Sequence, residues 1–583
     1  MSHSSADNSL TNPFRLPQLR GLPGLLLSQL LGLVRLARWY DQRPANLSPA
    51  AFCRYALGRI GARSEIVQGS LADIPAQGPL LVVANHPFGG VEGMVLMEQL
   101  LQRRPDLKVL ANGLLCRIPE LAPLFISVDV FRTGVNQGSV RQASAHVASG
   151  GALLIFPAGE VSSFQWRAAA VVEADWRHTA ALIAQRAGAE VSPVFVEGRN
   201  RLRFHMLGLL HPLLRTLLLP REMAAQRGKV IRLRIGRVVP HDDLLGLSKV
   251  EATGYLRLNT LLLGQMEQTD TRVRHHQPVI APQPVAQIRA ELAALTPLTS
   301  EGHYQLFIAE GAQIPRTLRE LGRLRELAFR GAGEGSGQSC DLDRFDQWYQ
   351  QLILWDEQAG QIAGAYRIGV ASDIVARFGV QGLYTHTLFD FGSAFLSALQ
   401  DPIELGRSFV APAYQRDSRA LYLLWRGVGH FISARQQGPG VLFGPVSISA
   451  DYSPVLRRLL ATVLSLHHSE ERLKQWVRPR QPLKEGHLPV ARDALAGLAD
   501  LRRLGRLISR IERGKSMPVL LRHYLALKGR MLCFNVDPAF SNALDGLIVA
   551  DLRNVSDRIR VQYMGVEGAA RYAENHMRTD RNV

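Results

Sequence analysis

The sequence predicts two α/β domains in tandem, and three observations carry that expectation. The chain has 583 residues, more than a single hydrophobic core usually organises. Before residue 275, short apolar runs over 80–84, 108–110, 152–156, 191–196 and 230–235 alternate with helical patterns, the signature of an α/β fold. After residue 300 a second alternation begins. Helices are expected over 317–330 and 342–351, strands over 352–356, 362–369 and 403–410, a helix over 418–437 and a strand over 441–443. Between the two, residues 275–300 carry prolines at 278, 282, 284 and 297 and read as a linker. The expected organisation is an amphipathic, membrane-associating segment over 1–60, a first α/β domain over 61–274, the linker, and a second α/β domain with a carboxyl-terminal extension over 301–583.

Composition narrows the partners. Hydrophobic residues at 46% and charged residues at 20% suit a folded chain with a real core, but the net charge of +18 marks a surface that attracts polyanions. The candidates are nucleic acid, anionic lipid headgroups and an acidic carrier protein. No zinc-finger spacing and no RNP-type aromatic motif is present, so nucleic acid is set aside. Cys53, Cys116, Cys340 and Cys533 are far apart and lack metal-ligand spacing; they read as free thiols of a reducing compartment, with no metal expected. The start, MSHSSADNSLTNPF, has neither the basic nor the apolar part of a signal peptide, which points to the cytoplasm. No run reaches the roughly 18 uninterrupted apolar residues of a membrane span. Two leucine-rich segments, 22–39 with Arg35 and Arg38 and 207–219 with His211 and Arg215, fit either core helices or helices lying in a bilayer interface. The second reading, on so basic a chain, predicts a peripheral seat on the cytoplasmic face of the inner membrane.

The first chemical constellation follows the strand at 80–84. There the chain runs Asn85-His86-Pro87-Phe88-Gly89-Gly90-Val91-Glu92-Gly93 into a helix. A histidine on a glycine-rich turn at the carboxyl end of a strand lies where α/β folds place active sites. Glu92, one short turn on, can orient the imidazole and stabilise it as it takes a proton, making His86 a general base. Alone, such a histidine is more often structural. It is joined by Arg132 in VFRTG, by Phe156-Pro157-Ala158-Gly159-Glu160-Val161-Ser162 after the strand at 152–156, and by Val191-Ser192-Pro193-Val194. In these four ordered blocks, residues 78–240 resemble the lysophospholipid acyltransferase family. The resemblance implies that His86 activates an acceptor hydroxyl against an acyl thioester with Glu92 as its partner, and that Arg132, Gly159, Glu160 and Ser162 contact the acceptor. Two departures stand out. The His86–Glu92 spacing is one residue longer than usual, with glutamate for aspartate, and the usual Phe-Pro-Glu-Gly-Thr is Phe-Pro-Ala-Gly-Glu. Both suggest an acceptor other than lysophosphatidate.

The second constellation lies beyond the linker. Arg325 and Phe329 sit one turn apart on a helix, Asp343 and Asp346 share a face, and Arg367, Glu404 and Arg407 follow on strands. Singly, each reads as a surface ion pair. Together they suggest a pocket for a zwitterion, with carboxylates for an amine and guanidiniums for a carboxylate. The order resembles the autoinducer-synthase and ornithine N-acyltransferase branch of the GNAT superfamily. Gln415, Ser418 and Ala420 are similar to that superfamily's phosphopantetheine loop, whose backbone N–H groups at a helix start bind phosphate. The tail from Met517 to Asp537 favours the ornithine branch. Glu404 is the candidate that takes the amine's proton.

The fusion resembles bifunctional ornithine lipid synthases. That resemblance implies N-acylation of an amino acid, ornithine first, by the rear domain with a 3-hydroxyacyl group, then O-acylation of the new hydroxyl by the front domain. The donor would be acyl carrier protein carrying a phosphopantetheine thioester, with no permanently bound cofactor; the basic surface suits an acidic carrier. Three readings stay open beside it: a glycerophospholipid acyltransferase with a regulatory second domain, an acyl-homoserine-lactone synthase, and a non-catalytic, haemolysin-like membrane-binding protein.

Overall fold

The computed structural model describes residues 12–15, 21–113, 115–128, 137–165, 170–210, 212–266, 276–435, 440–484, 486, 488 and 490–579. Arg132 and His211 lie outside them, as do the side chains of 208–216. The chain divides into two units, 1–266 with 489–514 and 267–488 with 515–583. Both are mixed α/β, as the two alternations predict.

The first unit is built on a seven-stranded sheet. Its strands are β1 (Arg63–Gln68), β2 (Leu80–Ala84), β3 (Lys108–Asn112), β4 (Phe125–Val128), β5 (Ala152–Ile155), β6 (Glu190–Val196) and β7 (Val230–Ile235). They lie in the order β1-β7-β6-β2-β5-β3-β4, parallel except where β7 meets β6. All five residues of β2 are buried, which explains its unbroken Leu-Leu-Val-Val-Ala run: a central parallel strand is covered on both faces. Strands β1 and β4 were not legible as strands. In β1 (RSEIVQ) exposed and half-buried positions alternate, so no apolar run marks it.

The expected second domain takes in all of 301–583. The structure instead groups 489–514 with the first unit. The helix Leu501–Ile511 buries Leu504, Leu507, Ile508 and Ile511. Its Arg506 and Arg510 both pair with Asp243, whose carboxylate also accepts the Tyr255 hydroxyl at 3.1 Å. Asp243 is only 2% exposed, so its removal strands Arg510 among buried neighbours. Asp243→Ala is therefore expected to cost the first unit about 3 kcal/mol, read as a lowered denaturation midpoint in urea with unchanged slope.

The second unit carries an eight-stranded sheet. Its strands are β8 (Thr299–Glu301), β9 (Tyr304–Glu310), β10 (Gln350–Asp356), β11 (Gln361–Val370), β12 (Ile403–Val410), β13 (Val441–Ile448), β14 (Arg530–Asp537) and β15 (Ala543–Asp551). They follow the order β8-β9-β10-β11-β12-β13-β15-β14. All pairs are antiparallel except β12 with β13, which pair parallel only at Ile403–Leu442 and Glu404–Phe443. The amphipathic helices Pro315–Gly331 and Ser418–Ala434 form where the 3.6-residue pattern predicts them. The helix expected over 342–351 does not. A single 3₁₀ turn, Arg344–Gln347, is closed by reciprocal Asp343 and Asp346 caps, and from Gln350 the chain pairs as β10. Short polar side chains that bond nearby backbone favour such a turn over a helix.

No helix among the described residues is long and apolar enough to cross a membrane. The four cysteines are free.

Candidate functional site

Strand β2, in the middle of its sheet, delivers His86 just beyond its carboxyl end. Asn85 fixes the exit: its side chain donates to the Val196 carbonyl at 2.9 Å and accepts the Val196 N–H at 2.7 Å, tying the turn to the end of β6. His86 Nδ1 then lies 2.9 Å from Glu92 Oε1. Glu92 is fully buried and does more than meet the ring. It accepts the backbone N–H groups of Phe88 (2.8 Å), Gly89 (2.7 Å) and Gly90 (2.9 Å). The turn thus folds around the carboxylate. Glu92 reaches the ring across the five residues between them. Gly89 has φ +94°, and a Cβ there would come 2.4 Å from Leu219; only glycine fits this turn.

The electrostatics suit a general base. Burial disfavours the imidazolium, but the Glu92 charge and hydrogen bond, with Glu173 adding to them, leave His86 raised overall. Burial likewise pushes Glu92 up, and His86 with the Gly89 and Phe88 N–H groups more than offsets it, so its carboxyl is held below the usual range. With Nδ1 facing Glu92, the other ring nitrogen, Nε2, is the one free to take a proton. Phe156 covers the ring at a centroid distance of 4.6 Å.

The second block serves this turn from behind. Ser162 donates its backbone N–H to the His86 carbonyl at 3.0 Å and its hydroxyl to Glu173 at 2.7 Å. Glu173 also accepts the His86 backbone N–H, at 3.2 Å. Ser162, expected against the acceptor, is here a brace for the histidine. Glu173, which burial pushes up despite these bonds, was not singled out in the sequence because no motif surrounds it. Gly159 turns at φ +69°, where a Cβ would touch the Arg177 guanidinium, and Glu160 is exposed.

In the second unit six predicted residues converge. Arg325, fully buried, donates to Asp346 at 2.9 Å and to Gln351 at 2.6 Å. Arg367 donates to Asp343 at 2.6 Å and stacks near Tyr384 at 4.9 Å. Arg407 pairs with Asp341 at 3.0 Å and donates to the Tyr384 hydroxyl at 2.8 Å. Glu404 accepts the Tyr349 hydroxyl in a short bond and the Thr385 N–H at 2.6 Å. Phe329 stands one step away, packed on Phe540, which in turn lies under Arg407.

This arrangement revises the expected division of labour. Asp343 and Asp346 do not stand free for an amine; they hold the guanidiniums in place. Burial alone would raise Asp346, but Arg325 and Arg367 hold it far below the usual carboxylate range. Arg367 keeps Nε and Nη2 without a hydrogen-bond partner among the described residues while only 1% exposed. Two unsatisfied donors on one buried guanidinium are suited to a carboxylate. Asp341, Tyr349, Gln351 and Tyr384 complete the network and were missed, since neither spacing nor a motif marks them.

Glu404 and Arg407 reach one cluster through a bulge. Residues three apart on a regular strand face opposite ways. Here Arg407 and Ser408 together oppose Tyr366, where the β11–β12 register shifts, and Arg407 takes φ +46°. A non-glycine residue held there costs about 1–2 kcal/mol, and the ion pair with Asp341 offsets it. At the next helix start, Asp417 caps Ser418–Ala434 by accepting the Arg419 N–H at 2.9 Å. Gln415 donates to the Val410 carbonyl at 3.3 Å, and Ala420 is buried. The candidate phosphate loop therefore does stand at a helix N-terminus after a strand that leaves its neighbour early.

Among the described residues no cluster of histidine, cysteine or acidic side chains is arranged to hold a metal ion. A family model for "Acyltransferase" matches residues 42–266, and one for "Acetyltransferase (GNAT) domain" matches 324–426. A glycine N(alpha)-acyltransferase of Bacteroides thetaiotaomicron is 34% identical over 36% of this chain and 64% of its own. Its counterpart in Phocaeicola vulgatus is 30% identical over 36% of this chain and 67% of its own. A lyso-glycine lipid O-acyltransferase of the same Phocaeicola vulgatus is 30% identical over 29% of this chain and 62% of its own. The chain spans just under two thirds of the length of the first of these relatives.

Proposed function

Because the chain belongs to the acyltransferases, an acyltransferase domain followed by a GNAT domain, we propose that it makes a diacylated aminolipid by two successive acyl transfers. The observation that carries the reading is the pairing, on one polypeptide, of a carboxylate-backed histidine with a buried arginine–carboxylate cluster. The rear unit N-acylates an α-amino acid. Arg367 takes the carboxylate of the acceptor through its two unsatisfied donors, and Glu404 receives the proton of the attacking amine. If the incoming chain is 3-hydroxylated, its hydroxyl becomes the acceptor of the front unit. His86 removes that proton through Nε2 as the oxygen attacks a second thioester, and Glu92 stabilises the imidazolium. In each step the C–S bond breaks, an amide or ester forms, and the thiol leaves with a proton.

The donor in this reading is acyl carrier protein, drawn by the basic surface, and its phosphopantetheine lies at the start of helix Ser418–Ala434. The enzyme works peripherally at the cytoplasmic face of the inner membrane. Ornithine is the proposed acceptor, from the order of rear-site residues. Glycine is the second reading, favoured by the names of the relatives. Purified full-length protein, given 3-hydroxyacyl and acyl carrier protein thioesters with ornithine or glycine in separate reactions, is expected to yield a phosphorus-free, ninhydrin-positive diacyl lipid by mass spectrometry. Ornithine product alone supports the first reading and glycine product alone the second. Folded protein that acylates neither refutes the proposal.

A further inference from the structure

We propose that the first unit contains a phospholipid headgroup site, separate from the His86 turn, in an arginine-lined cavity beneath its two leading helices. The inference rests on the membrane seat proposed above and not on the identity of the acyl acceptor. The cavity has a volume of about 570 Å³, and Arg35, Arg38, Arg201, Arg221 and Arg227 line it. All five are exposed, and none forms an ion pair with an acid among the described residues. The acid nearest in sequence, Glu222, is buried and accepts the backbone N–H of Arg201 at 3.3 Å. Five like charges drawn together without counter-charge repel one another, and a bound anion relieves the repulsion. Guanidinium forks match phosphate oxygens in pairs.

The site is built by local constraints. Helices Gly21–Leu30 and Leu33–Asp41 meet at Gly32, which has φ +77° and whose Cβ would stand 2.9 Å from the Arg221 backbone. Glycine thus lets the leading helices close on helix Pro212–Ala224, and Arg221 donates to the Leu30 carbonyl at 3.5 Å.

The surroundings select a lipid phosphate over an acidic protein. Leu25, Leu26, Leu27 and Leu30 of the first helix are exposed, Leu26 and Leu30 at 62% each. Leu202 and Met206, just after Arg201, are also exposed. Leucines beside arginines are the pattern of a helix lying in the headgroup layer, apolar side chains in the acyl region and guanidiniums at the phosphates. The acidic helix of a carrier protein would leave those leucines in water. The helix that supplies Arg221 also presents Leu219 to Gly89 and Met223 to Gly90. A headgroup in the cavity would therefore steady the helix that packs on the catalytic turn.

Vesicle cosedimentation of the full chain tests this, with neutral phosphatidylcholine vesicles and vesicles containing anionic phosphatidylglycerol. The parent is expected to prefer the anionic vesicles. Arg35→Gln/Arg38→Gln/Arg227→Gln should lose about 100-fold in binding to them, at about fivefold per cation near the surface. The charge-matched control Arg186→Gln/Lys249→Gln/Arg502→Gln, three exposed cations outside the cavity lining, should lose tenfold less. An unchanged thermal midpoint and an unchanged far-ultraviolet circular dichroism spectrum show that both variants are folded. Equal binding by the two triple variants overturns the cavity site while leaving the membrane seat. A parent that binds no vesicle overturns both, whereas the aminolipid product is read in a separate assay. If the cavity variant keeps vesicle binding but loses acyl carrier protein binding, the site belongs to the carrier and the lipid assignment fails.

Discussion

Replacing His86 with alanine is expected to lower O-acylation by about 10²–10⁴-fold and to leave N-acylation intact, so that the mono-acylated intermediate accumulates. The expectation follows from geometry. Nδ1 faces Glu92 at 2.9 Å, so that carboxylate fixes the tautomer and offers Nε2 to the hydroxyl. Glu92→Gln keeps the shape but removes the charge that raises His86, and it separates a base from its orienting partner by pH. The neutral imidazole is the active form. Because the parent's folded value is raised, the rising limb of its pH–rate profile should sit above about 6.5, the value of a free imidazole. In Glu92→Gln that limb should move to lower pH, while the plateau falls. The linkage to stability runs the other way. The dyad's contribution is complete below the free imidazole's value and fades as pH climbs through the raised one. Loss of the N-acylated product in His86→Ala would show that the assignment of reactions to units is wrong.

What was legible in the first site was the part encoded locally. The buried strand β2, the glycine turn and Glu92 are neighbours in sequence, and each announces itself by composition. Glu173 could not be foreseen, because its role depends on Ser162 and on the backbone of His86, residues brought to it only by the fold. The same limit explains the segment 489–514. Its helix has the apolar stripe of any amphipathic helix, and nothing in that stripe says which unit's core it covers. Asp243 supplies the answer, and it lies more than two hundred residues away.

The rear site shows a subtler limit. All six charged residues read from the sequence meet in space, but two of them, Asp343 and Asp346, are paired with guanidiniums and do not stand free for an amine. Spacing revealed that acids and arginines belong together, but not that Asp343 and Asp346 bind guanidiniums rather than substrate. The β-bulge at Arg407 was invisible for a different reason. It places an arginine at positive φ, and no propensity argument predicts a conformation that the residue type disfavours. Strain at that position is held by the Asp341 and Tyr384 contacts, and its effect is to put a third guanidinium on the Glu404 side of the sheet.

Glu404→Gln is expected to remove N-acylation by about 10²–10⁴-fold and, with it, the O-acylated product that depends on the first step. The substitution is nearly isosteric, and the amide oxygen can still accept from Thr385 or Tyr349, so the unit should fold. Burial is what raises the Glu404 carboxyl above its ordinary value, against the hydrogen bonds from Tyr349 and Thr385 and the charge of Arg367. A carboxylate raised in this way is a stronger base than one in water, which is what deprotonating an ammonium group requires. The parent's N-acylation should consequently fall as pH drops through that raised value, because the ionised form is the one that accepts the proton. The variant should lose that dependence. Arg367→Lys makes the contrast: a point charge cannot offer the two free guanidinium donors, so KM for the amino acid should rise with a smaller change in kcat. Should Glu404→Gln raise KM alone, with kcat and its pH profile preserved, the carboxylate positions the substrate and the proton leaves by another route.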